Sequence, residues 1–302
     1  MEDRLLRFLF HGAPVRGELV RMSQSWRQMT AHHEYPAPVK QLLGEMVAAA
    51  ALLASNIKFN GALVMQVHGD GPVKLLVVEV QPDLALRATA KVGDEPITDT
   101  ATMRELINRA GRGRFAITLD PRDPQPGQQP YQGIVPLDGE SMADVLETYM
   151  RQSEQLDTKL VLAADKDVSA GLLLQRLPDH GGAHLITDED AWDRATMLGG
   201  TLNRDELLSL APEVLVRRLY GQEQLDPQAS LAPRFACRCS RERIGRMLIS
   251  LGRPEVDSII EEMQAVTVTC DFCNRKYSFD AVDVTQLFTC GDTELALQTT
   301  RH

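Results

Sequence analysis

The clearest chemistry in the sequence belongs to four cysteines: Cys237-Arg-Cys239, then thirty intervening residues, then Cys270-Asp-Phe-Cys273. Two close thiol pairs brought together can surround a tetrahedral ion at about 2.3 Å from each sulfur. A Cys-x-x-Cys turn lets both sulfurs face one ion while backbone N–H groups point at them. No histidine lies between His184 and His302, so the ligand set is all-cysteine and zinc is the natural ion, one per chain. Cys-x-Cys is a less usual spacing for an iron–sulfur cluster. Spacing alone leaves open whether such a site is static or responds to oxidants. The case for a response is that zinc holds its ligands as thiolates, the form that oxidants attack. Cys237 can pair with Cys239, and Cys270 with Cys273, without either pair needing the other. The ion would then leave, and the folding energy held in the site would go with it. The fifth cysteine, Cys290, reads as a spare thiol near a tail, with a substitute ligand or an off-path disulfide partner as alternatives.

Other chemistry is thinly represented. Gly69-Asp70-Gly71 is followed by neither Lys-Ser/Thr nor a helix, so it is no phosphate loop. Arg109, Arg112 and Arg114 make a small basic patch that reads as a solvated turn, and His32-His33 reads as a surface feature at a helix end. Nucleophile-elbow, zinc-protease and dinucleotide fingerprints do not occur, and no carboxylate pair stands out. The reading is a protein that is not an enzyme.

The elements that must position the thiols follow from local signals. Ser240 caps a helix to Leu251 and Gly252 ends it; Pro254 starts a second helix to about Met263; Val266–Thr269 and Tyr277–Phe279 form a small β element. A module of about 70 residues has a marginal core, which a metal supplements. Upstream, strands are expected at 4–10, 15–20, 62–68, 73–80, 84–90, 115–119, 132–137, 160–164 and 171–177, with helices over 38–58 and 141–155. Gly69-Asp70-Gly71 reads as a hairpin turn, and Ser141 with Asp144 as a capping box. Pro121–Pro130 reads as an exposed loop. Residues 187–221 read as amphipathic helices, with Thr187 and Asp190 capping the first, Gly199-Gly200 stopping it and Asn203 capping the next. These helices need a surface to lie on, and unfolding of the cysteine module could remove it. The expected organisation is an α+β, sandwich-like core domain (1–178), a helical linker (179–233) and a C-terminal zinc-binding domain (234–302), with the first boundary in Pro178-Asp179-His180-Gly181-Gly182.

Bulk properties agree with a globular chain: 302 residues, 43% hydrophobic and 25% charged. The formal net charge of -10 works against phosphate backbones, so no nucleic-acid partner is expected, although Arg238, Arg241, Arg243 and Arg246 crowd one side of the first cysteine pair. The most apolar run, Met46 to Ala54, is too short to span a bilayer, and no targeting segment is visible, so the expectation is a cytoplasmic protein with no membrane partner. In that compartment clustered cysteines indicate metal or redox chemistry rather than structural disulfides.

Phe235-Ala-Cys-Arg-Cys-Ser-Arg-Glu-Arg243, Ser250-Leu-Gly252 with Glu255-Val256, and Val268-Thr-Cys-Asp-Phe-Cys273 with Tyr277 and Phe279 together resemble the redox-regulated heat shock protein 33 chaperones. Tyr131-Gln-Gly-Ile-Val-Pro-Leu137, Ser153-Glu-Gln155, Gly171-Leu-Leu-Leu-Gln-Arg-Leu-Pro178 and Leu215–Tyr220 with Glu223 extend the resemblance over nearly the whole chain. One departure is Asn274, where the family often has glycine; asparagine also tolerates the left-handed conformation. The resemblance implies an ATP-independent holdase, nearly inactive when reduced and zinc-bound. Cys237, Cys239, Cys270 and Cys273 would be its zinc ligands and switch residues, with disulfides Cys237–Cys239 and Cys270–Cys273 on oxidation. It further implies zinc release, linker unfolding, a homodimer in the oxidised state, and unfolded client proteins as partners. A thiol–disulfide oxidoreductase and a zinc-stabilised nucleic-acid binder are the competing readings.

Overall fold

The structure is a computed structural model that describes residues 2–124, 130–178, 188 and 190–289. The chain divides into two compact units, Met1–Ala236 and Cys237–His302.

The first unit opens with the strands β1 (Arg4–Phe10) and β2 (Val15–Met22), followed by the short helix α1 (Gln24–Thr30) and the long helix α2 (Ala37–Ala54). Three strands come next, β3 (Gly61–His68), β4 (Val73–Val80) and β5 (Ala85–Val92), then helix α3 (Met103–Ile107), β6 (Arg114–Pro121), β7 (Tyr131–Pro136), helix α4 (Met142–Ser153), β8 (Thr158–Ala164) and β9 (Ser169–Arg176). Helices α5 (Ala191–Gly199), α6 (Arg204–Ser209) and α7 (Pro212–Tyr220) lead to two very short strands, β10 (Leu225–Pro227) and β11 (Arg234–Phe235). The strands form two sheets, one in the order β10-β1-β2-β9-β8 and the other in the order β11-β5-β4-β3-β6-β7. The strand pairs are antiparallel except for β11, which runs parallel to β5.

Helix α2 explains the layering. It packs on strands of both sheets and on α4. Its run Ala48–Ala51 is fully buried, because alanine lets two layers approach one helix closely without leaving cavities. Gly44 serves the same purpose: a Cβ there would sit 2.3 Å from the Ala164 Cβ. By length and composition α2 also passes for a membrane span, being longer than its most apolar stretch suggests, but most of it is buried between the sheets.

The opposite face of the five-stranded sheet carries a second apolar cluster, and α5, α6 and α7 lie on it. These helices therefore find their docking surface within the first unit, whereas the sequence reading had made that surface depend on the cysteine module. Leu207, Leu215 and Tyr220 are buried against Phe8, Phe10, Leu19, Leu172 and Leu174. The Tyr220 ring lies 5.7 Å from Phe8 and 5.2 Å from Phe10, and the second of these contacts is edge-on. Arg21, largely buried in β2, donates to the Leu208 carbonyl at 3.0 Å, near the last turn of α6, where carbonyls lack helical partners. Arg204 donates to the Ala164 carbonyl, and Arg4 pairs with Glu213. Asn203 forms a full capping box with Glu206, as do Ser141 with Asp144 and Thr102 with Glu105. Gly200 follows the end of α5; Thr187, the other cap residue read from the sequence, lies outside the described residues.

In the second unit, α8 (Arg241–Leu251) and α9 (Arg253–Met263) precede a hairpin of β12 (Ala265–Thr269) and β13 (Lys276–Asp280), and residues 281–289 are helical. Ser240 accepts from the Arg243 N–H at the start of α8, and Gly252, at φ +97°, separates the two helices. The core is small: Leu248, Val256, Val266, Phe279, Val284 and Phe288. The Arg241 guanidinium lies 4.2 Å from the Phe279 ring centroid and pairs with Asp283 at 2.7 Å, so this member of the basic group is committed inside the module. Cys290 lies outside the described residues.

Candidate metal centre

The thiols come from two loops. Cys237 and Cys239 lie between β11 and the Ser240 cap of α8; Cys270 and Cys273 lie in the turn joining β12 to β13. That turn is closed by two backbone bonds, Asn274 N–H to the Cys270 carbonyl at 2.8 Å and Cys270 N–H to the Arg275 carbonyl at 2.9 Å. Closing it requires the left-handed conformation at Asn274, which has φ +57°.

The hairpin and the start of α8 bring the pairs together. The Sγ atoms of Cys237 and Cys270 are 3.6 Å apart, and those of Cys239 and Cys273 are 3.4 Å apart. All four sulfurs lie within 4.8 Å of one another, with Cys270 buried and the other three partly so. A tetrahedron of sulfurs at about 2.3 Å from its centre has edges of about 3.8 Å, close to these spacings. The sulfurs are all free thiols.

The electrostatics also favour a cation. Burial raises the thiol of Cys237. Burial and the neighbouring sulfurs push Cys273 up to about 12, against a hydrogen bond from the Arg275 N–H. Burial opposes ionisation of Cys239 as well, but hydrogen bonds from Tyr277 and from the other thiols outweigh it and bring this thiol down to about 7. Four thiolates cannot share so small a volume without a positive charge among them. The donor set, its spacing and its partial burial therefore fit a closed structural zinc site.

Other residues singled out in the sequence have structural employment. Asp70 accepts from the Ala110 and Arg112 N–H groups and so ties the Arg109–Arg114 turn to the β3–β4 hairpin, while Arg109 pairs with Glu95. His33 stacks on Tyr35 at 5.0 Å. Sequence reasoning named Tyr277 only as a strand residue and a point of family resemblance and gave it no place at the thiols; its hydroxyl donates to Cys239 Sγ at 3.1 Å. A tyrosine four residues beyond Cys273 was visible, but its reach to the other pair depends on the hairpin register that sets it opposite Val268.

A mixed α+β body joined to a compact module with four clustered thiols defines a class of protein that carries a candidate metal-binding cysteine centre. The Hsp33 protein family model matches residues 3–280, and the chain belongs to that family. It is 47% identical over 290 residues to the 33 kDa chaperonin of Methylobacillus flagellatus, covering 96% of this chain and 95% of the relative. It is 46% identical over 301 residues to the 33 kDa chaperonin of Chromobacterium violaceum, covering 99% and 98%. Among solved structures, that of the 33 kDa chaperonin (heat shock protein 33 homolog) of Thermotoga maritima matches with a TM-score of 0.78 at 18% identity, over 96% of this chain and 99% of that one. The chain is thus an Hsp33-family chaperone whose cysteine cluster is consistent with redox regulation.

Proposed function

We propose that this protein is an oxidation-activated, ATP-independent holdase of the cytoplasm that binds unfolding proteins and prevents their aggregation. The observation that carries this reading is the all-thiol cluster that follows, along the chain, three helices held on one apolar sheet face. A bound zinc ion would hold all four sulfurs as thiolates and cross-link two loops that lie far apart in sequence. Its ligands would be Cys237, Cys239, Cys270 and Cys273, which are also the switch residues.

In the proposed reaction each thiolate pair, Cys237 with Cys239 and Cys270 with Cys273, loses two electrons as its S–S bond forms. A hydroperoxide accepts them as its O–O bond breaks, and with two protons each peroxide leaves as water or alcohol plus water. With its thiolates consumed, the module keeps only a small core, and at this size such a core is marginal.

The loss is passed on along the chain. Just before Cys237 the backbone runs along the edges of both sheets: β10 joins β1, Leu231 bridges Leu5, and β11 joins β5. Strands of two or three residues are held by few bonds and open at low cost. Their release frees α5–α7, and the apolar face around Phe8, Phe10, Leu19, Leu172 and Leu174 becomes available to clients. In this reading residues 179–233 act as a metastable linker between the 1–178 core and the 234–302 switch domain, and the oxidised chain pairs with a second copy. Membranes and nucleic acids are not partners in it, and it assigns no catalytic residue.

The test is light scattering from a heat-unfolding client without nucleotide. The oxidised protein is expected to suppress scattering at near-stoichiometric ratio and the reduced, zinc-loaded protein to leave it unchanged. Equal protection by both forms contradicts the switch.

A further inference from the structure

The four sulfurs are not equivalent. Cys237 Sγ accepts the Cys239 N–H and Cys273 Sγ accepts the Arg275 N–H, both bonds being local to their own loops. Cys239 Sγ instead accepts a side-chain hydroxyl, that of Tyr277, across thirty-eight residues of sequence and at 3.1 Å. Tyr277 is fixed by its place in β13, paired with Val268, and it packs partly buried against the module's apolar core. The Arg275 side chain interacts with the same hydroxyl. The result is a chain of polar contacts, guanidinium to phenol to sulfur, aimed at one cysteine of the four.

We propose that Tyr277 is a positioning residue that restrains oxidation of Cys239. The inference rests on the redox-switch reading above and goes beyond it, because that reading assigns Tyr277 no part. The physical reason is that a thiolate attacks peroxide with a sulfur lone pair. In the zinc-loaded protein all four sulfurs would already be thiolates, so the bond's help to ionisation adds nothing there, and a hydroxyl donating into that density lowers the sulfur's nucleophilicity and occupies one direction of approach. In the step concerned, Cys239 sulfur attacks one peroxide oxygen, the S–O bond forms and the O–O bond breaks. Hydroxide leaves and takes a proton to become water. Cys237 thiolate then attacks the sulfenic sulfur, the S–S bond forms, and a second hydroxide leaves. Two electrons pass from the sulfurs to the peroxide. The hydrogen bond from Tyr277 has to be given up in the first of these steps, and that requirement is the restraint.

The test uses full-length, zinc-loaded, reduced protein treated with hydrogen peroxide below one equivalent, with timed alkylation and peptide mass spectrometry to give a rate for each cysteine. Tyr277→Phe keeps the ring and removes only the hydroxyl. Its Cys239 is expected to oxidise roughly three- to tenfold faster than in the parent, the span of one hydrogen bond, with the rates at Cys270 and Cys273 unchanged. Arg275→Gln, at an exposed position, is expected to shift Cys239 in the same direction by less, and it provides the second variant should the first fail to load zinc. An unchanged Cys239 rate in both variants overturns the proposal, and so does equal acceleration of all four cysteines, which would mean general loosening of the module. Neither outcome touches the switch itself, which is judged by zinc loss and client protection.

Discussion

At the level of single residues, charge and burial decide what each side chain can do. The cysteines were readable from spacing because metal chemistry demands thiols in close pairs, and nothing else in the chain repeats that pattern. Tyr277 was not, since its role comes from strand register and not from sequence neighbours. Glu18 was also invisible: it sits on β2, 2% exposed, with the Ser55 hydroxyl donating to it at 2.5 Å. Burial raises its carboxyl above the ordinary 4.5, and the bonds from Ser55 and Asn56 and the charges of Arg16 and Arg7 only partly oppose this. A carboxyl whose folded pKa exceeds its unfolded one favours folding while protonated; that contribution is complete below the unfolded value and is lost as pH rises through the folded one. Glu18→Gln, which keeps an acceptor for Ser55, is therefore expected to raise the melting temperature at pH 7 and to change it little at pH 4. A larger gain at pH 4 than at pH 7 would reverse the sign and exclude a burial cost.

At the level of elements, the strongest signals were local ones. Ser141 with Asp144 was read as a capping box and Asn203 as a cap; both form complete capping boxes, the second with Glu206. Thr102 with Glu105 carries the same pattern and was passed over, because α3 is only five residues long and shows no apolar period. Strands β10 and β11 carry almost no signal of their own; they exist because the edges of β1 and β5 offer unpaired backbone groups. The amphipathic character of residues 187–221 was legible, but the face that receives it was not, because which side of a sheet is covered depends on tertiary packing. These points separate two variants with the same local defect. Asn203→Ala and Ser141→Ala each remove one N-cap and cost about 1 kcal/mol. Only the first loosens a helix of the α5–α7 layer, so only it should lower the temperature at which peroxide activates aggregation suppression. An equal drop in both variants would mean that global stability, and not release of this layer, sets the threshold.

At the level of the whole molecule, stability is unevenly distributed. The first unit has a helix packed between two sheets and a broad apolar core; among the described residues of the second, six apolar side chains form the core beside the four clustered thiols. The division at Ala236 places the first thiol pair, Cys237 and Cys239, at the very start of the second unit, directly after the two short edge strands. In the proposed mechanism a chemical change at the sulfurs acts on the smaller core and leads back along the chain to α5–α7. The mixed α+β fold class and the clustering of the thiols could be read from sequence because they rest on short-range patterns, whereas β10 and β11 depend on edge pairing that no pattern announces.

The central claim is that oxidation of four thiols, loss of one zinc and gain of chaperone activity are a single event. The most direct measurement follows all three on one sample treated with hydrogen peroxide at elevated temperature, using a chromogenic zinc indicator, free-thiol titration and light scattering from an unfolding client. The account predicts one zinc released per chain as four thiols disappear, with client protection rising on the same time course. Full protection while the zinc is still bound would contradict it.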